Sequence, residues 1–164
     1  FQNPSAYLNP NRTVANHFKD LFRAHGESYD ANRVIDMLNL VHLDGGERIL
    51  QAYPFQLSGG MQQRLAIALS LILKPTIVFA DEPTSALDIL VQASVLDLLR
   101  EVTQALGATV VIVTHNIKAA ARISNSIGVM NKGQLVEVGP TEAVINHSKD
   151  EYTHVLLDSV MKVV

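Results

Sequence analysis

The stretch IVFADE, residues Ile77–Glu82, decides the fold that this sequence predicts. Its first four residues form a continuous apolar run, which is typical of a parallel strand buried on both faces of a sheet. Ile89–Leu106 then carries an apolar stripe at helical spacing, and Thr109–Val113 is a second apolar run. A strand, helix, strand order with a crossover of this length is a βαβ unit. The sequence therefore predicts an α/β fold with a parallel-sheet core.

The sequence on either side of this unit predicts helices and a hairpin. Upstream, apolar residues recur at helical spacing over Thr13–His25 and over Val34–Val41, and a third helix follows Ser58, a good N-cap residue. Downstream we expect a helix near Ile117–Ser124, two short strands and a helical tail. The strands are expected at Ile127–Met130 and Gln134–Val138, and the tail at Thr141–Val164.

Length and composition exclude several classes of protein. With 164 residues, 48% of them apolar, the chain can bury one sizeable core. Its formal charge of -3 and scattered Lys and Arg give no basic stripe, which argues against nucleic acid as a partner. The apolar runs fall short of the roughly 20 residues that a membrane-spanning helix needs, and the lack of cysteine suits a reducing compartment such as the cytosol. Because the sequence starts without methionine or a signal peptide, we expect a fragment.

The octapeptide LSGGMQQR, Leu57–Arg64, opens the third helix and predicts an anion site. A helix N-terminus exposes unpaired amides and a partial positive charge, and the glycines at 59 and 60 let a phosphate approach without obstruction from Cβ atoms. The alternative is that Ser58 only caps a helix and that the glycines are loop residues.

Polar residues follow both strands of the βαβ unit at their carboxyl ends, where open α/β sheets bind ligands. After the first strand, Asp81 is suited to hold a hydrated Mg²⁺, and Glu82 to orient and deprotonate an attacking water. After the second, His115 is suited to donate a hydrogen bond to a terminal phosphate. The alternatives are a solvated acidic turn begun by Pro83 and a capped polar histidine. Three such sites in one unit favour the functional interpretation.

These motifs, in this order and spacing, resemble those of the ATP-binding cassette (ABC) ATPases over almost the whole chain. Leu57–Arg64 resembles the family's signature motif, and Ile77–Glu82 its Walker B strand. Ser85–Asp88 is similar to the D-loop, His115 to the switch histidine, and the start at Gln2 to the glutamine loop. The resemblance implies a partial P-loop NTPase-like nucleotide-binding domain. Its parts would be a glutamine-loop segment (1–10), a helical signature subdomain (11–75), an α/β core with the other motifs (76–140) and a helical tail (141–164).

The resemblance also implies residue roles around ATP and Mg²⁺. Gln2 would sense Mg²⁺ and the attacking water and signal to membrane subunits, and Asp81 would be a ligand to the metal. Glu82 and His115 would act on the nucleotide held by their own subunit.

A second set of residues would act across a head-to-tail dimer. Ser58, Gly59 and Gly60 would contact the γ-phosphate of ATP held mainly by the other subunit, and Asp88 would lie at that interface. Met61 stands where many members carry glutamine, so a ribose contact from this position does not carry over.

One family motif is absent from the sequence. The phosphate-binding (Walker A) loop needs Gly-x-x-x-x-Gly-Lys followed by Ser or Thr, and no glycine here precedes a lysine. We therefore expect a truncated chain that binds ATP weakly or not at all and is inactive alone. A naturally degenerate protein is the alternative.

Shorter motifs resemble the dipeptide, oligopeptide and nickel importer branch of the family. They are QNP at Gln2–Pro4, LNP at Leu8–Pro10, VQA at Val91–Ala93 and EYT at Glu151–Thr153. Some members of that branch carry a cysteine-bearing C-terminal extension, whereas this chain has no cysteine, so the transported solute stays open. The tail has an equally good interpretation as a surface helix packed on the sheet.

Taken together, the motifs predict the ATP-hydrolysing subunit of an importer for peptides, nickel or a related small solute. Its helical part, Asn11–Leu73, would dock on integral membrane permease subunits at the cytoplasmic face of the inner membrane. The other partners would be a second ABC ATPase subunit and, indirectly, an extracytoplasmic solute-binding protein. The alternatives are a soluble ABC ATPase that clamps its target in translation or DNA repair, and an interaction module without catalysis. Intact Glu82 and His115 argue against the latter.

Overall fold

The computed structural model describes residues 7–84 and 89–161, and the chain separates into two compact units, Phe1–Val113 and Thr114–Val164. The predicted α/β fold with a parallel-sheet core is confirmed. Elements of the first unit are α1 (Val14–Ala24), α2 (Ala31–Leu40), α3 (Glu47–Gln51), α4 (Gly59–Leu71), β1 (Ile77–Asp81), α5 (Ile89–Leu106) and β2 (Thr109–Val113). Those of the second are α6 (Ile117–Ile123), β3 (Ser126–Asn131), β4 (Gln134–Pro140), α7 (Thr141–Asn146) and α8 (Glu151–Met161).

The N-terminal helices begin where the sequence provides caps. Thr13 Oγ1 accepts a hydrogen bond from the Asn16 amide at 3.3 Å. Asp30 Oδ1 accepts from the amides of Asn32 at 2.9 Å and Arg33 at 3.2 Å. Because each cap satisfies amides that have no intrahelical acceptor, the two predicted helices start at these residues.

Helix α4 lies in the core of the first unit. The largest fully buried side chains of α1, α2 and α4 are Val14, Phe18, Phe22, Val34, Leu38, Leu65 and Leu71. Arg64 links α4 to its neighbours by hydrogen bonds. Its guanidinium donates to the Val41 carbonyl (3.1 Å) and to Ser94 Oγ on α5 (3.3 Å). The helix that carries the octapeptide is therefore fixed against two neighbours.

The sheet of the first unit is the parallel pair β1 and β2, with Ile77 opposite Thr109 and Asp81 opposite Val113. The expectation that both faces are buried is wrong for this chain. Phe79 is 77% exposed and Val113 58% exposed, whereas Ala80, on the other face of β1, is buried. Successive side chains of a strand point to opposite faces, and the exposed side chains Ile77, Phe79, Val111 and Val113 all belong to one of them.

The second unit is built on the antiparallel hairpin of β3 and β4. Lys132 (φ 48°) and Gly133 (φ 79°) form its two-residue turn, and two positive φ values in succession match the right-handed twist of the strands. The predicted helical tail is interrupted between α7 and α8. There Glu137 of β4 accepts the amides of Lys149 (2.9 Å) and Asp150 (3.3 Å), which fixes the chain entering α8.

Candidate functional site

The octapeptide starts α4 as the sequence predicts. Ser58 is the N-cap residue, and its hydroxyl oxygen accepts the Met61 amide at 3.3 Å. Ser58 and Gly59 are exposed and Gly60 is half-buried, so the first turn of the helix faces solvent. Exposed amides at a helix start carry a partial positive charge and suit an anion.

The two glycines of the octapeptide have no structural role within the described part of the chain. Gly59 and Gly60 adopt helical backbone without positive φ. A Cβ atom at either position would meet no described atom within 4 Å. Glycine disfavours a helix by about 1 kcal/mol relative to alanine, so two glycines here cost stability without improving internal packing. Their lack of side chains leaves open space beside the first turn of the helix.

Two glutamines of the octapeptide, which the sequence interpretation left without a role, hold the loops on either side of α4. Gln62 Nε2 donates to the carbonyls of Pro54 (2.9 Å) and Leu57 (3.1 Å), in the segment that leads into the helix. Gln63 Nε2 donates to the Pro83 carbonyl at 2.9 Å. In the sequence, the only indication of these roles is that two adjacent glutamines occur in a helix that is apolar on most sides.

The two acids lie at the carboxyl end of β1. Asp81 is exposed and is the last residue of the strand. Glu82 is half-buried, has a left-handed backbone (φ 45°) and donates its amide to the Val113 carbonyl of β2 at 2.8 Å. A non-glycine residue in this conformation costs on the order of 1–3 kcal/mol and is found where neighbouring structure fixes it, frequently at functional sites.

The remaining predicted residues belong to the second unit or fall outside the described residues. His115 is exposed and lies in the second unit, next to Asn116, whose side chain caps α6. In sequence it follows Val113, the residue opposite Asp81, by two positions. Gln2 and Asp88 lie outside the described residues. Within the first unit, therefore, Asp81 and Glu82 are brought to one end of the parallel pair, and Ser58–Gly60 lies at the start of the helix that contacts the loop after them.

Asp81 fits the predicted metal ion. Within the described ranges there is no group of three or more His, Asp or Glu side chains able to hold a metal ion. Mg²⁺ usually binds one or two protein carboxylates and completes its shell with water and phosphate oxygens. One exposed carboxylate at the end of a strand is sufficient for such a site.

Across residues 7–84 and 89–161, no helix combines the length and apolar character that a membrane crossing requires.

A family model and curated relatives match this chain and agree on the family. The ABC transporter family model matches residues 1–85. The dipeptide transport ATP-binding protein DppD of Caldanaerobacter subterraneus is 42% identical over 160 residues, which are 95% of this chain and 49% of that protein. The oligopeptide transport ATP-binding protein OppD of Lactococcus lactis is 36% identical over 97% of this chain and 48% of its own. The chain thus spans about half the length of the curated relatives that it matches.

Solved structures match the fold. CbiO1 from Clostridium perfringens, part of an ABC transporter complex, matches with a TM-score of 0.75 and 28% identity, over 90% of this chain and 58% of its own. A dimeric ATP-binding cassette in a post-hydrolysis state, bound to ADP and phosphate, matches with a TM-score of 0.67 and 32% identity, over 86% of this chain and 61% of its own. The arrangement of α4, β1 and β2 is therefore that of an ATP-binding cassette.

Proposed function

The chain belongs to the ABC transporter family, and from this premise we propose that it is the signature and Walker B part of an importer's ATP-hydrolysing subunit. The proposed solutes are peptides, nickel or a related small molecule. The relatives support peptides as the solute, since DppD and OppD are dipeptide and oligopeptide transport ATP-binding proteins.

The proposed general base is Glu82. What carries this proposal is the conformation of the residue, because a strained backbone bonded to the end of β2 fixes the carboxylate's attachment point beside the exposed Asp81. A base must lie within hydrogen-bond reach of the water it deprotonates, so a fixed attachment point favours catalysis. Mg²⁺, bound through Asp81 and phosphate oxygens, would neutralise charge on the phosphates. His115 is proposed to donate a hydrogen bond to the γ-phosphate, and Gln2 to sense the metal and the water.

The start of α4 is proposed to contact ATP held by a second subunit. Ser58, Gly59 and Gly60 offer exposed helix-terminal amides, and the glycines leave space that the chain itself does not use. Asp88 is proposed to lie at the subunit boundary. The dimeric state of one matching structure supports an assembly of this kind.

The chain has no Gly-Lys step and hence no Walker A loop of its own. That loop supplies the amides and the lysine that hold the β- and γ-phosphates. We therefore infer that the 164-residue chain does not hydrolyse ATP by itself. In the whole protein, the partners are proposed to be a second ATPase subunit, membrane permeases that dock on the helical part, and a solute-binding protein that acts through them. Its proposed location is the cytoplasmic face of the inner membrane.

Substitution of the proposed base tests this function. In the whole protein, Glu82→Gln keeps the size of the side chain and removes its basicity, so steady-state ATP turnover should fall by roughly 10² to 10⁴. Glu142→Gln, at an exposed acid in the first turn of α7, is the matched control and should retain full turnover. Unchanged turnover in Glu82→Gln would remove the residue from this role.

A further inference from the structure

Gln63 connects the start of α4 to the loop that carries the proposed base. Its side chain is buried, at 5% exposure, and its Nε2 donates to the Pro83 carbonyl at 2.9 Å across 20 residues of sequence. Pro83 directly follows Glu82. A glutamine of the octapeptide therefore contacts the residue next to the acid.

The surroundings of this hydrogen bond leave the Pro83 carbonyl few other partners. Gln63 and Pro83 line a small cavity of about 60 Å³ between α4, α5 and β1. Its other lining residues are Ala66, Ile67, Ser70, Leu71, Val78, Phe79, Ala80, Val95 and Leu99. Ser70 directs its hydroxyl to the Ala66 carbonyl of its own helix. A buried carbonyl that loses its donor in such surroundings is unfavourable, so the loop would shift to find another.

The backbone at Glu82 requires this kind of support. A residue that precedes proline favours extended conformations, yet Glu82 has φ 45°. On its amino side the Glu82 amide bonds to the Val113 carbonyl at 2.8 Å. On its carboxyl side the next carbonyl, that of Pro83, bonds to Gln63. The strained residue is thus held from both sides, once by β2 and once by α4.

We infer that Gln63 is a positioning residue for hydrolysis, which fixes the Glu82–Pro83 backbone and thereby the carboxylate of Glu82. The inference rests on the proposed role of Glu82 as the base. Gln63 itself is buried, and it acts through the loop. Its removal lowers the rate of the chemical step and leaves the affinity for ATP in place, because phosphate binding does not depend on this hydrogen bond.

The first test is a split between kcat and KM in the whole protein. Gln63→Met keeps the length of the side chain and removes the donor. We expect kcat to fall about tenfold, with KM for ATP within about twofold of wild type, as for a displaced catalytic group. Ser70→Ala, on the same helix and the same cavity, is the matched control and should retain kcat. A Gln63→Met protein with wild-type kcat would overturn the inference.

The second test uses charge and does not depend on Gln63→Met folding well. In Gln63→Glu the introduced carboxylate repels the Pro83 carbonyl, whereas the protonated carboxyl donates to it. The protonated form gains population as pH falls, and burial raises the pKa of such a carboxyl. The ratio of kcat in Gln63→Glu to kcat in Ser70→Ala should therefore rise several-fold from pH 8 to pH 6. A ratio that stays constant with pH would indicate a packing role only.

A double substitution separates this inference from the proposed function. If Gln63 acts through Glu82, adding Gln63→Met to Glu82→Gln should lower kcat by less than about twofold further, because residues that act as a unit are non-additive. A full tenfold further loss would overturn the inference. If Glu82→Gln alone retains turnover, the proposed function fails. If Glu82→Gln loses turnover but Gln63→Met retains it, only the role of Gln63 fails.

Discussion

The residues of the octapeptide that opens α4 have different physical roles. Ser58 and Arg64 have roles within the chain, since one caps α4 and the other ties it to α2 and α5. Gly59 and Gly60 have none in the described structure, because a side chain there would enter open space. Residues that weaken a helix and pack against nothing are expected where another molecule must approach closely.

Gly59→Ala should therefore separate stability from activity. Alanine favours a helix over glycine by about 0.5–1 kcal/mol, so the midpoint of thermal unfolding should be unchanged or slightly raised. ATP turnover of the whole protein should fall at least about tenfold, because a methyl group blocks the approach of a phosphate to the first-turn amides. Calorimetry and a steady-state assay measure the two effects.

Gly107→Ala is the control for this glycine, because Gly107 has φ 66° and lies in the turn between α5 and β2, outside the octapeptide. Strain in the left-handed region should lower its unfolding midpoint while turnover per folded molecule is retained. A Gly59→Ala protein with full turnover would exclude a close approach at this position.

At the scale of elements, sequence patterns predict most of the fold. The 3.6-residue stripes, the caps and the βαβ order locate α1, α2, α4, α5 and both parallel strands within a few residues. The sequence pattern does not predict helix α3, because this helix has only five residues and follows Gly46 at φ 49°. The break in the tail was missed because the Glu137 carboxylate, twelve residues earlier, fixes Lys149. Such non-local hydrogen bonds leave no periodicity in a sequence.

The hairpin contact that sets the start of α8 predicts a pH dependence. The hydrogen bond from the Lys149 amide holds the pKa of Glu137 below its ordinary value of about 4.5, and the Asp150 amide acts in the same direction. A depressed carboxyl pKa stabilises the folded state above the unfolded pKa, and the stabilisation is lost as pH falls through the folded pKa. Glu137→Gln should thus lower the unfolding midpoint at pH 7.

The difference between wild type and Glu137→Gln should shrink as pH falls from the unfolded pKa of Glu137 through its lowered folded pKa, because wild type loses the stabilisation over that range. Scanning calorimetry from pH 3 to pH 7 measures it, and Glu142→Gln serves as the control for loss of one exposed acid. A difference in midpoint that is as large at pH 3 as at pH 7 would show that the charge of Glu137 is irrelevant.

At the scale of the whole chain, the sequence predicts where the two parallel strands lie but not which of their faces are covered. Their continuous apolar runs predict burial on two faces, yet Ile77, Phe79 and Val113 are more than half exposed. A sequence pattern reflects the surroundings in which a strand functions, and in the described structure the side chains of one face stay exposed. The candidate site shows the same limit. Sequence motifs single out Asp81, Glu82 and the two glycines, whereas Gln63 becomes a candidate only through its hydrogen bond to the Pro83 carbonyl.

The exposed face of β1 and β2 predicts self-association of the 164-residue chain. Large contiguous apolar surface on a soluble chain promotes association. Sedimentation velocity should therefore show average mass rising with concentration over about 1 to 100 μM. Phe79→Ser, at the most exposed of these side chains, should reduce the effect, and Tyr7→Ser, at an exposed aromatic residue outside the strands, should not. A chain that stays monomeric throughout this range would contradict the prediction.

In the proposed site, Glu82 of this chain provides the chemistry while other groups hold ATP. Measurement of ATP affinity and single-turnover hydrolysis together, in the whole protein with Glu82→Gln, separates these two roles. We expect a Kd for ATP within about threefold of wild type and a hydrolysis rate at least about 100-fold lower. Hydrolysis within tenfold of wild type, or loss of ATP binding together with hydrolysis, would contradict this assignment of roles.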